Sequence, residues 1–234
     1  MTAADCAFFL TAENGLPVQD EKGSFVLDEE AVTAYVQSLA EEYDGYGRTR
    51  QFHSTRGDVI TIDGGTYGSK MDRKKETAYL LEHLLDPGVH TGTPQSHIPS
   101  YEREAFCYGK NDIGDTYIEV DMTEQKMYYY EKGVLKLETE IVTGNMRRRM
   151  GTPEGVNFVY NKQKNRVLRG PGYASPVKFW MPVKGGIGIH DAGWRKEFGG
   201  DIYQTAGSHG CINTPKDKME ELFDCVQIGT PVRL

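Results

Sequence analysis

The sequence predicts an α+β N-terminal domain, residues 1–112, followed by a mainly β domain, residues 113–234. Three observations carry this expectation. Helical periodicity is confined to the first hundred residues and one segment near the C-terminus, and short β-rich runs separated by turn residues dominate beyond Asp115. Between them, residues 90–112 hold Pro94, Pro99 and several Gly, Ser and Thr, which reads as the tail of one domain and a connection. At a soft prior of about 150 residues per domain, 234 residues accommodate two modest cores.

From Asp28, a good N-cap, apolar positions Val32, Tyr35, Val36, Leu39 and Tyr43 recur at three-to-four spacing and predict an amphipathic helix that Gly45 and Gly47 stop. Residues 51–68 contain two β-rich runs around Arg56-Gly57, ended by Gly64-Gly65, and read as a hairpin. A second helix is expected from Asp72 to about Leu85 through Ala78, Leu81, Leu84 and Leu85, with Pro87-Gly88 ending it. One extended piece is expected around Tyr101 to Tyr108. A β-meander follows over 116–122, 126–130 and 134–142, and further strands over 156–160, 177–183 and 186–190. Near the end Thr214 is placed to cap a helix, with Pro215 at its first position and Asp217 three residues past the cap. Met219, Leu222, Phe223 and Val226 give it one buried face, and 230–234 closes the chain as a strand.

Lys plus Arg total 27 against 34 Asp plus Glu, a net charge of −7 that argues against a nucleic-acid binder or a basic membrane-surface protein. No apolar run approaches the roughly 18–20 residues of a membrane-spanning helix. The start, Met1-Thr-Ala-Ala-Asp, lacks the basic and apolar regions of a secretory signal, so the protein is expected either to be cytosolic or to have an upstream targeting piece removed. Cys6, Cys107, Cys211 and Cys225 are too scattered for a disulfide scaffold, and none lies in a C-x-x-C pair. Cys107 and Cys225 read as buried free thiols; outside the cell, a disulfide between two of Cys6, Cys107 and Cys225 is an open alternative. His53, His83, His90 and His97 lack metal-ligand spacing and receive no role.

The chemistry concentrates where Gly188-Ile-His190 is followed, after a gap of seventeen residues, by Ser208-His-Gly-Cys-Ile-Asn-Thr-Pro215. A thiol is a useful nucleophile only as thiolate, and an imidazole neighbour together with a following helix N-terminus would lower the pKa of Cys211. Gly210 lets a substrate approach the backbone, and amides around Cys211 could face a developing oxyanion, the outline of an acyl-transfer site. Against this stands the plain reading of a lone cysteine as a small buried hydrophobe. The strand-end histidine, the serine and the Asn-Thr-Pro sequence favour chemistry. Both His190 and His209 are available as base. An adjacent-but-one residue on an extended loop points away from Cys211, which favours His190. Asp191 reads either as a third triad member or, preferably, as a solvated turn carboxylate. Trp194 and Tyr203, between the two motifs, are candidates for a loop covering the site, with core packing as the alternative. Arg147, Arg148 and Arg149 read as a solvated basic loop that could also hold carboxylates. Trp180 and Tyr128 to Tyr130 read as packing residues of strands.

His190, the gap and Ser208-His-Gly-Cys-Ile-Asn resemble the signature of L,D-transpeptidases with the YkuD-type catalytic domain. Val142-Thr-Gly-Asn and Gly151-Thr-Pro-Glu-Gly resemble that family's Thr-Gly and Thr-Pro segments, so the similarity spans about Asp115 to Leu234. The preceding region is similar, less specifically, to the peptidoglycan-binding domain of clostridial-type members. The resemblance implies a cysteine that attacks the carbonyl of the third residue of a peptidoglycan stem, expels D-alanine and passes the acyl group to the amine of a second stem. It implies Cys211 as nucleophile, His190 as base oriented by a backbone carbonyl, His209 and Gly210 shaping the nucleophile loop, and Ser208 and Asn213 holding it. It implies no metal or cofactor, acylation by carbapenem β-lactams, and work outside the membrane, with an N-terminal membrane segment upstream of this chain. An L,D-carboxypeptidase of the same fold and an inactive cell-wall-binding module are the alternatives; oligomeric state is not legible.

Overall fold

A computed structural model of the chain describes residues 19–23, 26–84, 97–170 and 172–234. It divides into two compact units. Of the described residues, the first comprises those up to Gly45 together with 69–84, 97–104 and 108–110, and the second 46–68, 105–107, 111–170 and 172–234.

In the first unit, helix α1 (Glu29–Tyr43) starts at Asp28, whose carboxylate accepts from the amides of Glu30 and Ala31 at 2.9 and 3.1 Å. This satisfies donors that a helix start otherwise leaves orphaned. Val32, Val36 and Ala40 are its buried face. Strand β3 (Lys70–Met71) leads into helix α2 (Arg73–His83), capped by Asp72 on the amide of Lys75, and β3 pairs antiparallel with β4 (Tyr101–Arg103). The buried face of α2 runs through Glu76 and Leu80 to Leu84, and Ala78 is exposed, a shift from the face expected from apolar spacing. Glu76 can be inside because His97 Nε2 lies 3.0 Å from its carboxylate and the Ser100 amide donates to it at 3.1 Å. Thus His97 has a structural partner that sequence spacing does not show. Leu85 and the Pro87-Gly88 stop lie outside the described residues, as do Cys6 and His90.

The second unit is built on two sheets. Strands β5 (Tyr117–Asp121), β6 (Lys126–Glu131) and β7 (Val134–Glu140) form the expected meander, extended by β13 (Pro231–Arg233) and β8 (Val156–Phe158) in the order β7-β6-β5-β13-β8. The chain's last strand thus sits inside the sheet, parallel to β5 and antiparallel to β8. The other sheet has the order β12-β11-β10-β9, from β9 (Gln163–Gly170), β10 (Tyr173–Lys184), β11 (Ile187–Asp191) and β12 (Ile212–Thr214). Ile118, Val120, Met127 and Val232 of the first sheet share one apolar core with Met181, Ile189 and Ile212 of the second. Helix α4 (Lys216–Cys225) adds Met219, Leu222 and Phe223 to that core.

Hairpin β1 (Arg50–His53) and β2 (Val59–Ile62) forms as expected, and it packs with the second unit. The physical reason lies in β5, which is buried on both faces. While Ile118 and Val120 face the main core, Phe52 packs edge-on against Tyr117 at 5.4 Å, and Thr55 donates through its amide and hydroxyl to the fully buried Glu119 carboxylate. Arg233 completes the pairing of Glu119 at 3.0 Å. At the base of the hairpin, Arg50 and Asp112 form a buried two-pronged ion pair at 2.8 and 2.5 Å. Removing one member of such a pair strands the other's charge inside. Asp112→Ala is therefore expected to cost about 3–5 kcal/mol in urea unfolding; a loss below about 1 kcal/mol, as for surface pairs, would show that water reaches Arg50.

Candidate active site

Two pairings assemble the site. β11 and β12 lie parallel with Ile189 opposite Ile212 and His190 opposite Asn213, which closes the long gap between the two motifs. On its other side β11 pairs antiparallel with β10, setting Trp180 opposite His190. Gly188 permits the second pairing, because a Cβ there would lie 2.4 Å from the Met181 carbonyl oxygen. Within the crossover lies the short helix α3 (Ile202–Ala206).

The loop before β12 is held from inside. Ser208 Oγ accepts from the Gly210 amide at 3.0 Å and donates to the Cys211 carbonyl at 2.6 Å. Thr152 Oγ1 accepts from the Gly144 amide at 3.0 Å and donates to the Gly210 carbonyl at 2.8 Å. Gly210 has φ +114°, a backbone region that disfavours side chains, and a Cβ would press on Ile187 at 3.1 Å.

Cys211 is half-buried, with its thiol 3.8 Å from the Gly186 carbonyl and the Gly188 amide directed at the sulfur. Burial pushes the thiol pKa up from its ordinary 9.0, opposing the Gly188 amide. The expectation of a depressed pKa at a helix N-terminus is therefore corrected. Parallel pairing with β11 draws residues 212–214 into a strand, so α4 begins only at Lys216. Thr214 is consequently a fully buried strand residue, and Pro215 holds the cap position without a side-chain cap bond.

His190 is 3% exposed. Its Nδ1 lies 2.9 Å from the Asp191 carbonyl oxygen, which can only accept, so Nδ1 carries the proton. Its Nε2 lies 3.1 Å from Asn213 Nδ2. Burial is the main cause that moves the imidazole below its ordinary 6.5. The Asp191 carboxylate is neither a triad member nor a solvated turn group: it is 4% exposed and accepts from the amides of Lys178 and Phe179 at 2.8 and 2.7 Å, tying β11 to β10. Asp191→Asn keeps an acceptor for both amides and is expected to retain activity within about tenfold, whereas Asp191→Ala leaves them unpaired at about 1–3 kcal/mol. A loss near 10⁴-fold in folded Asp191→Asn, the size seen when a triad carboxylate is removed, would restore the triad reading.

His209 is exposed, with its ring stacked on Tyr173 at 4.6 Å. Trp194, 52% exposed, has its ring 5.8 Å from that of His190, and Trp180 approaches the same ring at 5.9 Å. Tyr203 lines neither of the two clefts at Cys211; its carbonyl accepts from the Met146 amide at 3.3 Å. Cys225 is exposed at the end of α4, not buried as expected, while Cys107 is half-buried; both are free thiols. Among the described residues, no group of three His, Cys, Asp or Glu could hold a metal ion, and no helix is long and apolar enough to cross a membrane.

Two clefts meet at Cys211. One, of about 220 Å³, is lined by His190, Trp194, Arg195, Ser208, His209 and Asn213 among others. The other, of about 720 Å³, opens between Tyr160, Arg166, Arg169, Trp180 and Gly186, and its described lining contains no carboxylate. Leu168 and Tyr173 of the β9–β10 hairpin wall both. Sequence reading missed Arg166, Arg169, Tyr173 and Arg195. For Trp180 the available signal was its place on the strand beside the histidine strand.

A half-buried thiol where two clefts meet, one of them also lined by a buried imidazole, suits the acyl transfer of a cysteine-dependent enzyme. Residues 115–234 match the model of the YkuD L,D-transpeptidase catalytic domain, and residues 12–88 match one described as "Putative peptidoglycan binding domain". The chain belongs to the YkuD-type L,D-transpeptidases. It is similar to a cysteine-to-serine mutant of the Enterococcus faecium L,D-transpeptidase at 37% identity and TM-score 0.82, over 100% of this chain and 89% of the other. A carbamoyl enzyme described as Ldtfm-avibactam is similar at 39% identity and TM-score 0.79, over 92% of this chain and 83% of the other. No curated protein matches the chain.

Proposed function

We propose that Cys211 is the nucleophile that carries a donor stem between the two clefts, and that His190 is its base. In the acylation step the thiol proton passes to His190 Nε2 as sulfur bonds to the carbonyl carbon of the stem's third residue. The tetrahedral intermediate collapses, the amide C–N bond breaks, and His190 returns the proton to the departing D-alanine amine. In the second step the side-chain amine of another stem attacks the thioester, yields its proton to His190, and the sulfur leaves and is reprotonated. Ser208 and Gly210 shape the loop, Asn213 and Trp194 line the smaller cleft, and His209 offers an exposed ring there. The position of Cys211 on both clefts carries this reading, because acyl transfer to an amine needs room for two peptides at one sulfur.

Carbapenems and the carbamoyl donor avibactam are expected to acylate the same thiol, since each presents a strained electrophilic carbonyl. The N-terminal unit is proposed to bind peptidoglycan and so to keep the enzyme at the cell wall, where its substrates are. The test incubates the protein with a tetrapeptide stem, with and without a second stem bearing a free amine, and weighs the products. Joined stems plus D-alanine are expected. Tripeptide plus D-alanine at every acceptor concentration would make it an L,D-carboxypeptidase, and no turnover of any stem would favour a wall-binding module.

A further inference from the structure

The hydrogen bonds of the proposed pair run elsewhere than between its members: the thiol is directed toward the Gly186 carbonyl and His190 Nε2 meets Asn213. The group that decides this is Arg195. Its Nε donates to Asn213 Oδ1 at 2.7 Å, and a terminal nitrogen donates to the Ala206 carbonyl at 2.9 Å. A guanidinium has donors only, so Asn213 Oδ1 must face Arg195 and Asn213 Nδ2 must face the imidazole. That amide nitrogen is also only a donor, so Nε2 must offer its lone pair. From the opposite end of the ring, the Asp191 carbonyl requires the proton on Nδ1. Two independent constraints therefore agree on one tautomer.

We propose that Arg195 is a positioning residue which, through the Asn213 amide, fixes the proton of His190 on Nδ1 and keeps Nε2 unprotonated, so that it takes the thiol proton once the Asn213 donor gives way. The inference rests on the reading of His190 as base. Of the other ionisable groups near the ring, the Asp191 carboxylate favours the charged imidazole and opposes Arg195, and it is present in wild type and variant alike. The Asp191 carboxylate is turned onto backbone amides, His209 is stacked on Tyr173, and the Cys211 thiol faces Gly186. Without Arg195 the Asn213 amide is free to turn its oxygen toward Nε2. Only a doubly protonated ring then satisfies both flanking acceptors, and the positive charge that opposed protonation is gone as well. Both changes raise the basicity of His190.

The experiment follows ¹⁵N-labelled histidine signals of the full chain across pH, in wild type and Arg195→Gln, alongside the pH dependence of acylation by a carbapenem. The wild-type neutral ring is expected to carry its proton on Nδ1. In Arg195→Gln the His190 midpoint is expected to rise by about one pH unit or more, with the acid limb of acylation moving the same way. A wild-type neutral ring protonated on Nε2 would overturn the proposal, and this reading needs no variant to fold. So would a folded Arg195→Gln whose His190 midpoint stays within about 0.2 units of wild type. A midpoint that rises while the acid limb stays fixed would leave the positioning role standing and remove His190 as the base.

Discussion

Cys211→Ala is expected to abolish acylation: no mass gain with a tetrapeptide stem or a carbapenem, and release of D-alanine reduced by about 10⁴-fold or more. The half-buried side chain loses little packing on truncation, and Ser208, which holds the loop, bonds to the Cys211 carbonyl and not to its sulfur. The variant should therefore fold, and intact-mass spectrometry beside a thermal melt separates lost chemistry from lost structure. Wild-type reactivity carries a second expectation. Since burial places the thiol above 9.0, under about one part in a hundred is thiolate at pH 7. Alkylation by iodoacetamide should climb close to tenfold per pH unit between about pH 7 and 9. A flat profile there would mean a standing thiolate–imidazolium pair. Acylation retained in Cys211→Ala would place the nucleophile elsewhere.

His190→Gln should slow acylation by about 10²–10⁴-fold, the usual worth of a positioned general base. Its pH signature follows from the direction of the shift. Because burial moves His190 below 6.5, the ring is neutral and ready at pH 7, and wild-type acylation should fall only as pH drops below about 6.5. That acid limb should vanish in His190→Gln. The contrasting variant is His209→Gln, which loses a ring stacked on Tyr173 at the mouth of a cleft. Its expected effect is a rise in KM of less than about tenfold with little change in kcat, since it removes binding surface and not a proton acceptor. Should His209→Gln lose the acid limb while His190→Gln keeps it, the two histidines would exchange roles.

Local patterns carried much of the architecture. Asp28 and Asp72 cap their helices because short carboxylates reach the first free amides, an interaction decided within three residues. The meander and the α4 face of Met219, Leu222 and Phe223 were legible because a single periodicity separates core from solvent. Strand β9 was not, since Gln163–Gly170 is exposed or half-exposed along its length and shows no apolar alternation, yet it walls both clefts. With it went Arg166 and Arg169. Glu76, buried against His97 and Ser100, likewise looked like a surface residue because its partners lie beyond any local window.

The sequence by itself determined the His190 and Ser208–Asn213 motif, the β-rich nature of the second unit and the family resemblance that the motif carries. All of these rest on residue identity at short spacing or on one repeating period. Only the tertiary structure decided that the first hairpin covers β5, that Asp191 stitches two strands, and that Arg195 and the His190 ring meet on one Asn213 side chain. These depend on which strand edges meet. A hydrogen bond forms over about 3 Å of space irrespective of separation along the chain, so the partners of a buried polar group become visible only once the sheet has closed around it.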